Sequence, residues 1–198
     1  MVKPPLFKVC ENGNEAIVKD LVENDANINE TKDNSSTPLF FACESGNEAI
    51  VKYLVEHGAD VNKNRNDGET PLFKACKNGN EAMVKYLVEH GADINKTNED
   101  GETPLFEACG NKNKAIVKYL VEFGTDINGL NKYGETPLFE ACKEGNKTIV
   151  KYLIKNGANV NKKNKYGETL LTFVKLHFHS ENKTRVMKKF LVKHGAVY

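Results

Sequence analysis

The sequence predicts an all-α solenoid with β-hairpin fingers, built from about six 33-residue helix-turn-helix units. Three observations predict it. Thr-Pro-Leu-Phe or its remnant begins at Pro4, Thr37, Thr70, Thr103, Thr136 and Thr169, with a constant step of 33. Five cysteines, Cys10, Cys43, Cys76, Cys109 and Cys142, keep that step. Within each copy, apolar residues recur at helical spacing in two short runs separated by Gly-Asn or its variants. A stack of this kind buries each unit's apolar face only against its neighbours, so it grows by adding units and has no single central core.

The third copy justifies the elements in order. Thr70 stands at a helix N-cap, and Pro71 suits the first helical position because its missing N–H had no partner there. Leu72, Phe73, Ala75 and Cys76 form the apolar side of a short helix ending near Lys77. Gly79 supplies a left-handed residue for the reversal, and Asn80 caps the next helix. From Glu81 to His90, the residues Met83, Val84, Leu87 and Val88 recur at helical spacing, and Gly91 stops the helix. Ala92-Asp93-Ile94-Asn95 leads into a polar stretch that turns at Asp100-Gly101.

These residues carry a family resemblance. Thr-Pro-Leu-Phe-x-Ala-Cys, Gly-Asn-Glu-Ala-Ile-Val-Lys-Tyr-Leu-Val-Glu-His-Gly-Ala-Asp-x-Asn and the closing Gly-Glu are similar to the ankyrin repeat over nearly the whole chain. The resemblance implies one domain over residues 1–198. Its repeats are 1–36, 37–69, 70–102, 103–135 and 136–168, followed by a C-terminal capping repeat at 169–198. It also implies antiparallel helix pairs stacked side by side with fingers projecting from them. The family's His after Thr-Pro-Leu is replaced by Phe7, Phe40, Phe73, Phe106 and Phe139, so apolar packing must take the place of its hydrogen bond. Copy four departs further: Lys112 replaces the inter-helix Gly, Thr125 replaces Ala, and the finger holds Gly129 and Leu130. A strained or shifted turn is expected at 110–113.

The ends of the stack differ. The first copy lacks a preceding finger. The last has Leu170 for Pro, Lys175 at the cysteine position, Lys188 where inner copies have Val, and about five extra residues around 177–182. Solenoid ends need a polar outer face, so this degeneration is expected to close the stack.

Composition narrows the function classes. Hydrophobic residues at 39% and charged residues at 28% fit a soluble folded protein. A net charge of +1, from 28 Lys and Arg against 27 Asp and Glu, argues against nucleic acid as partner. The longest apolar runs fall far short of a membrane span, and no apolar h-region opens the chain. An odd number of thiols without a signal peptide fits a reducing, cytoplasmic setting. A monomer is expected.

Chemistry-bearing residues read as structural. Equivalent cysteines should lie about one helix-packing distance apart, roughly 8–10 Å, too far for a disulfide or a shared zinc. His57, His90 and His194 precede helix-ending glycines and suit the negative helix terminus. His177 and His179 are two residues apart, and on a helix they face different ways. No phosphate loop or nucleophile elbow occurs, and Glu107 and Glu140 read as an exposed face with no pocket for acid–base work. No enzyme activity, metal or cofactor is expected. Asn62, Asn95, Asn128, Asn29 and Asn161 tie the base of each finger by hydrogen bonds; the resemblance implies a similar position to one hydroxylated in animal ankyrin proteins.

The recurring residues maintain the stack, so function falls to those that vary. The resemblance places a partner on the concave face, across fingertips and first helices. The slot after Thr-Pro-Leu-Phe reads Lys8, Phe41, Lys74, Glu107 and Glu140. After Cys come Glu44, Lys77 and Lys143, among others, and the tips include Asn66-Asp67, Glu99-Asp100, Lys132-Tyr133 and Lys165-Tyr166. Copies two and three, by contrast, differ only at Ile50/Met83 and Val61/Ile94 between Asn47 and Lys63 and the equivalent Asn80 and Lys96. A bipolar groove is expected, with Tyr133, Tyr166 and an exposed Phe41 as anchors. Ordinary solvated turns multiplied by duplication are the competing reading. The functional reading is a non-catalytic adaptor, scaffold or inhibitor that holds a protein partner. A structural spacer without a partner, or a microbial effector acting on host proteins, is the alternative.

Overall fold

The computed structural model describes residues 4–178 and 180–197. His179, half of the histidine pair noted in the sequence, lies outside them. The chain divides into two compact units, Met1–Glu99 and Asp100–Tyr198. In the first, three helix pairs form: α1 (Leu6–Glu11) with α2 (Glu15–Glu23), α3 (Pro38–Ser45) with α4 (Glu48–Glu56), and α5 (Pro71–Asn78) with α6 (Glu81–Glu89). First helices pack in one layer, α1 on α3 and α3 on α5; second helices form the other, α2 on α4 and α4 on α6. The second unit pairs α7 (Pro104–Gly110) with α8 (Lys114–Glu122), α9 (Pro137–Lys143) with α10 (Lys147–Lys155), and α11 (Leu170–His177) with α12 (Glu181–Lys193). There α7 packs on α9 and α9 on α11, with α8 against α10.

Local chemistry sets the boundaries. Asn14, Asn47, Asn80, Asn113 and Asn146 each cap a second helix, the side-chain oxygen accepting a backbone N–H such as Ile50 N or Met83 N at 3.1 Å. Gly79 takes a left-handed φ of 72° at the end of α5. Where the chain has no glycine in such a slot, another residue bears the strain. Asp25, Ser35 and Lys112 have φ of 61°, 62° and 60°, and each stands 33 residues before a positive-φ glycine. The strain expected in copy four is therefore present at Lys112. The extra residues of the last copy lengthen α12 to 13 residues, against 9 in α10.

Two features depart from expectation. Thr70 sits at the N-cap of α5, but its hydroxyl makes no capping bond; Thr70, Thr103 and Thr136 Oγ1 are buried without a partner, unlike Thr37, which accepts from Phe40 N at 3.3 Å. No strand forms among the described residues, so the expected β-hairpins appear as tight turns. In the finger before α5, Arg65 N donates to Glu69 O at 2.9 Å and Gly68 N to Arg65 O at 3.0 Å. A ladder needs repeated pairs of such bonds along both arms.

The core takes the recurring residues. All five cysteines are free and fully buried. Phe40, Phe73, Phe106 and Phe139 are at most 3% exposed, so packing replaces the family histidine's hydrogen bond. Phe139 meets Phe173 edge-on at 5.1 Å between centroids.

Candidate functional site

The fingertips of each unit are joined backbone to backbone. In the first unit Asn66 N donates to Asn34 O at 3.0 Å and Glu99 N to Asp67 O at 2.9 Å. In the second, Lys132 N donates to Asp100 O at 2.6 Å and Lys165 N to Tyr133 O at 2.8 Å. Each tip turn is further held by its own side chain. Asp67 Oδ1 accepts from Glu69 N at 3.1 Å, and Asn131 Oδ1 accepts from Tyr133 N and Glu135 N at 3.0 Å. The tips are thus rigid rows whose side chains vary.

The finger-base asparagines act between repeats. Asn62 Nδ2 donates to Gly91 O at 2.9 Å while its Oδ1 accepts from Asp93 N at 2.8 Å. Asn29 makes the same pair with Gly58 O and Asp60 N, Asn128 with Gly157 O and Asn159 N, and Asn161 with Gly195 O and Val197 N. The hydrogen-bonding role read from the sequence holds, but its reach is forward, to the next pair. The histidines are structural as well. Nδ1 of His57, His90, His177 and His194 donates to the carbonyl four residues earlier at 2.7–2.9 Å, and each ring lies over the aromatic ring of that same residue.

The variable side chains divide. Tyr133 is 40% and Tyr166 69% exposed, and Asn66, Lys77, Glu99, Lys132, Lys143 and Lys165 are exposed as well. Lys132 Nζ donates to the Asp100 carboxylate and lies 5.2 Å from the Tyr133 ring; the hydrogen bond to Asp100, then Tyr133, raises its pKa. Glu140 pairs with Lys143 at 3.2 Å, and Glu107, like Glu140, is only partly exposed. Glu44 and Lys74 form an ion pair of 2.6 Å between α3 and α5, and Lys74 is pressed over the Phe40 ring at 5.8 Å.

Phe41 corrects the reading from sequence. It is 8% exposed, not an exposed anchor, because Phe7 of α1 packs on it at 5.8 Å and Phe40 meets it edge-on at 6.4 Å. It seals the first helix layer.

The described residues hold no group of three or more His, Cys, Asp and Glu side chains able to bind a metal ion, and no described helix is long and apolar enough to cross a membrane. Burial pushes the Cys10 thiol up to about 12, with the Glu30 charge adding to it, and pushes Cys43 and Cys142 higher still. Such thiols stay protonated and make poor nucleophiles.

Sequence reasoning passed over one region. Lys175, Arg185, Lys188, Lys189 and Lys193 line an open cleft on the last helix pair. A running charge count would have marked it, whereas the whole-chain total hid it.

A comparison with curated proteins finds no match. The family model for ankyrin repeats (3 copies) matches residues 6–98 and 93–164. That span contains the first five helix pairs, with the glycine reversals and the Asn29, Asn62 and Asn128 bridges described above, and the chain belongs to the ankyrin repeat family.

Proposed function

We propose that the chain is a non-catalytic protein-interaction module whose fingertips and first helices, the face that is concave in ankyrin proteins, hold a protein partner. Ankyrin repeats are in general protein-interaction modules. The observation that carries the reading is the backbone coupling of neighbouring tips within each unit. It fixes Asn66-Asp67 and Glu99 in one row and Asp100, Lys132-Tyr133 and Lys165-Tyr166 in another before any partner arrives, which lowers the ordering cost of binding.

Tyr133 and Tyr166 are the anchors, because each offers a large apolar face at modest entropy cost from a fixed turn. Lys132, Lys165, Glu99 and Asp67 supply charge at the rim, where it governs association rate and partner choice more than affinity. The first helices add Glu44, Lys74 and Lys77 in the first unit and Glu107, Glu140 and Lys143 in the second. The protein acts as a monomer and needs no cofactor, and its buried free thiols suit a reducing cytoplasmic setting.

Affinity capture with the full chain, followed by mass spectrometry, identifies the partner. Capture with a Tyr133→Ala/Tyr166→Ala variant then locates it. The same partners recovered with undiminished affinity would remove the fingertips from the interface, and a spacer without a dedicated partner would yield none to either bait.

A further inference from the structure

The net charge of +1 hides a steep division. Residues 143–198 hold 13 Lys and Arg against 3 acidic residues, and residues 1–142 hold 15 against 24. The basic part includes the last helix pair, where a cleft of about 820 Å³ opens beside α11 and α12. Lys175, Arg185, Lys188, Lys189 and Lys193 line it, with Glu181 as the one acid. Phe178 and Val192 are the apolar residues in its lining, the latter 51% exposed.

The positions show what is unusual. Lys175 stands where inner copies bury Cys, and Lys188 where they bury Val; Cys142 and Val150 are fully buried. A polar outer face needs only solubility, which mixed charges supply. Here Arg185, Lys188, Lys189 and Lys193 repeat one sign at helical spacings of three and four, an arrangement that destabilises an isolated helix. Exposed Val192, Leu176 at 62% and Val186 at 36% lie among or near these cations.

Resting on the interaction-module reading above, we propose a second binding site in this cleft for an acidic polypeptide segment carrying apolar side chains. Its carboxylates meet the five cations and its apolar residues cover Phe178 and Val192. The charge specifies the sign of the partner and the apolar floor its class. A nucleic-acid backbone brings phosphates but nothing aliphatic to fill the floor, and a membrane surface does not enter a concavity.

The test titrates the full chain with a labelled synthetic peptide that carries Leu and Glu at helical spacing. Parallel titrations use the same peptide with Lys for Glu, an all-Glu peptide, single-stranded oligothymidylate, and vesicles containing phosphatidylserine. The acidic-apolar peptide is expected to bind best and to weaken with added salt. Reversing three exposed cations (Arg185→Glu, Lys189→Glu, Lys193→Glu) should lower its affinity by at least about tenfold, with the helical circular-dichroism signal retained. The Tyr133→Ala/Tyr166→Ala variant should bind it unchanged. No binding, indifference to charge reversal, or tighter binding of the oligonucleotide or vesicles would overturn the proposal. Loss in the tyrosine variant alone would also overturn it, while leaving the fingertip reading intact.

Discussion

Replacing Asn62 by Ala removes two hydrogen bonds that tie one helix pair to the next: Nδ2 to Gly91 O at 2.9 Å, and Asp93 N to Oδ1 at 2.8 Å. A typical protein hydrogen bond contributes about 0.5–1.5 kcal/mol net, so the substitution should cost about 1–3 kcal/mol. The lower half of that range applies, because the side chain is partly exposed and water takes over some of the bonding. With a urea m-value of about 2 kcal/mol/M, a loss near 1.5 kcal/mol moves the midpoint down by about 0.75 M. Equilibrium urea unfolding followed by circular dichroism measures it. Asn62→Asp separates the two bonds, since a carboxylate still accepts from Asp93 N but faces Gly91 O with no proton to give. N62D should be destabilised at neutral pH. Its gap from the wild type should narrow as pH falls through the carboxylate range, where the protonated carboxyl regains a donor. An unchanged midpoint for N62A would refute the claim that these asparagines couple neighbouring pairs.

Three further predictions follow from single residues. Thr37→Val should cost about 0.5–2 kcal/mol by removing the bond from Phe40 N, whereas Thr103→Val should be neutral or stabilising because its buried hydroxyl has no partner; thermal melts compare them directly. The five thiols should resist Ellman's reagent in the native protein and all react in denaturant. Because burial raises the Cys10 pKa from 9.0 to about 12, its contribution is full below its unfolded pKa and is lost as pH rises from about 9 toward 12, so Cys10→Ala should flatten the alkaline fall in stability. Lys112→Gly should change stability by between about 0 and +1 kcal/mol: relief of roughly 1–2 kcal/mol of left-handed strain is offset by glycine's flexibility and by loss of the exposed 3.0 Å pair with Glu144. A clear loss in urea unfolding would mean that the ion pair outweighs the strain.

Legibility from sequence followed the range of the interaction. Helix pairs, the Asn80 cap and the Gly79 reversal depend on neighbours a few residues away, and the 33-residue period repeats them, so they could be read directly. Lys112 was visible as strain because the same slot holds glycine in the other inner copies. Phe41 was misread because its burial is decided by Phe7, a residue from the preceding copy whose approach depends on how α1 settles on α3. The silent Thr70 hydroxyl was missed because an N-cap residue type does not fix the hydroxyl's distance from the N–H it would accept. The coupling of fingertips was also out of reach, since backbone bonds between turns leave no mark on residue type. The basic cleft was legible and overlooked, because its cations were averaged against acids elsewhere in the chain.

The central claim is that the residues varying between copies, set on rigid fingertips, do the binding. The most direct measurement is the affinity of a captured partner for the wild type and for the Tyr133→Ala/Tyr166→Ala variant. At least about a tenfold loss is expected on removing the two aromatic anchors. Equal affinity, in a variant whose unfolding midpoint is also unchanged, would contradict it.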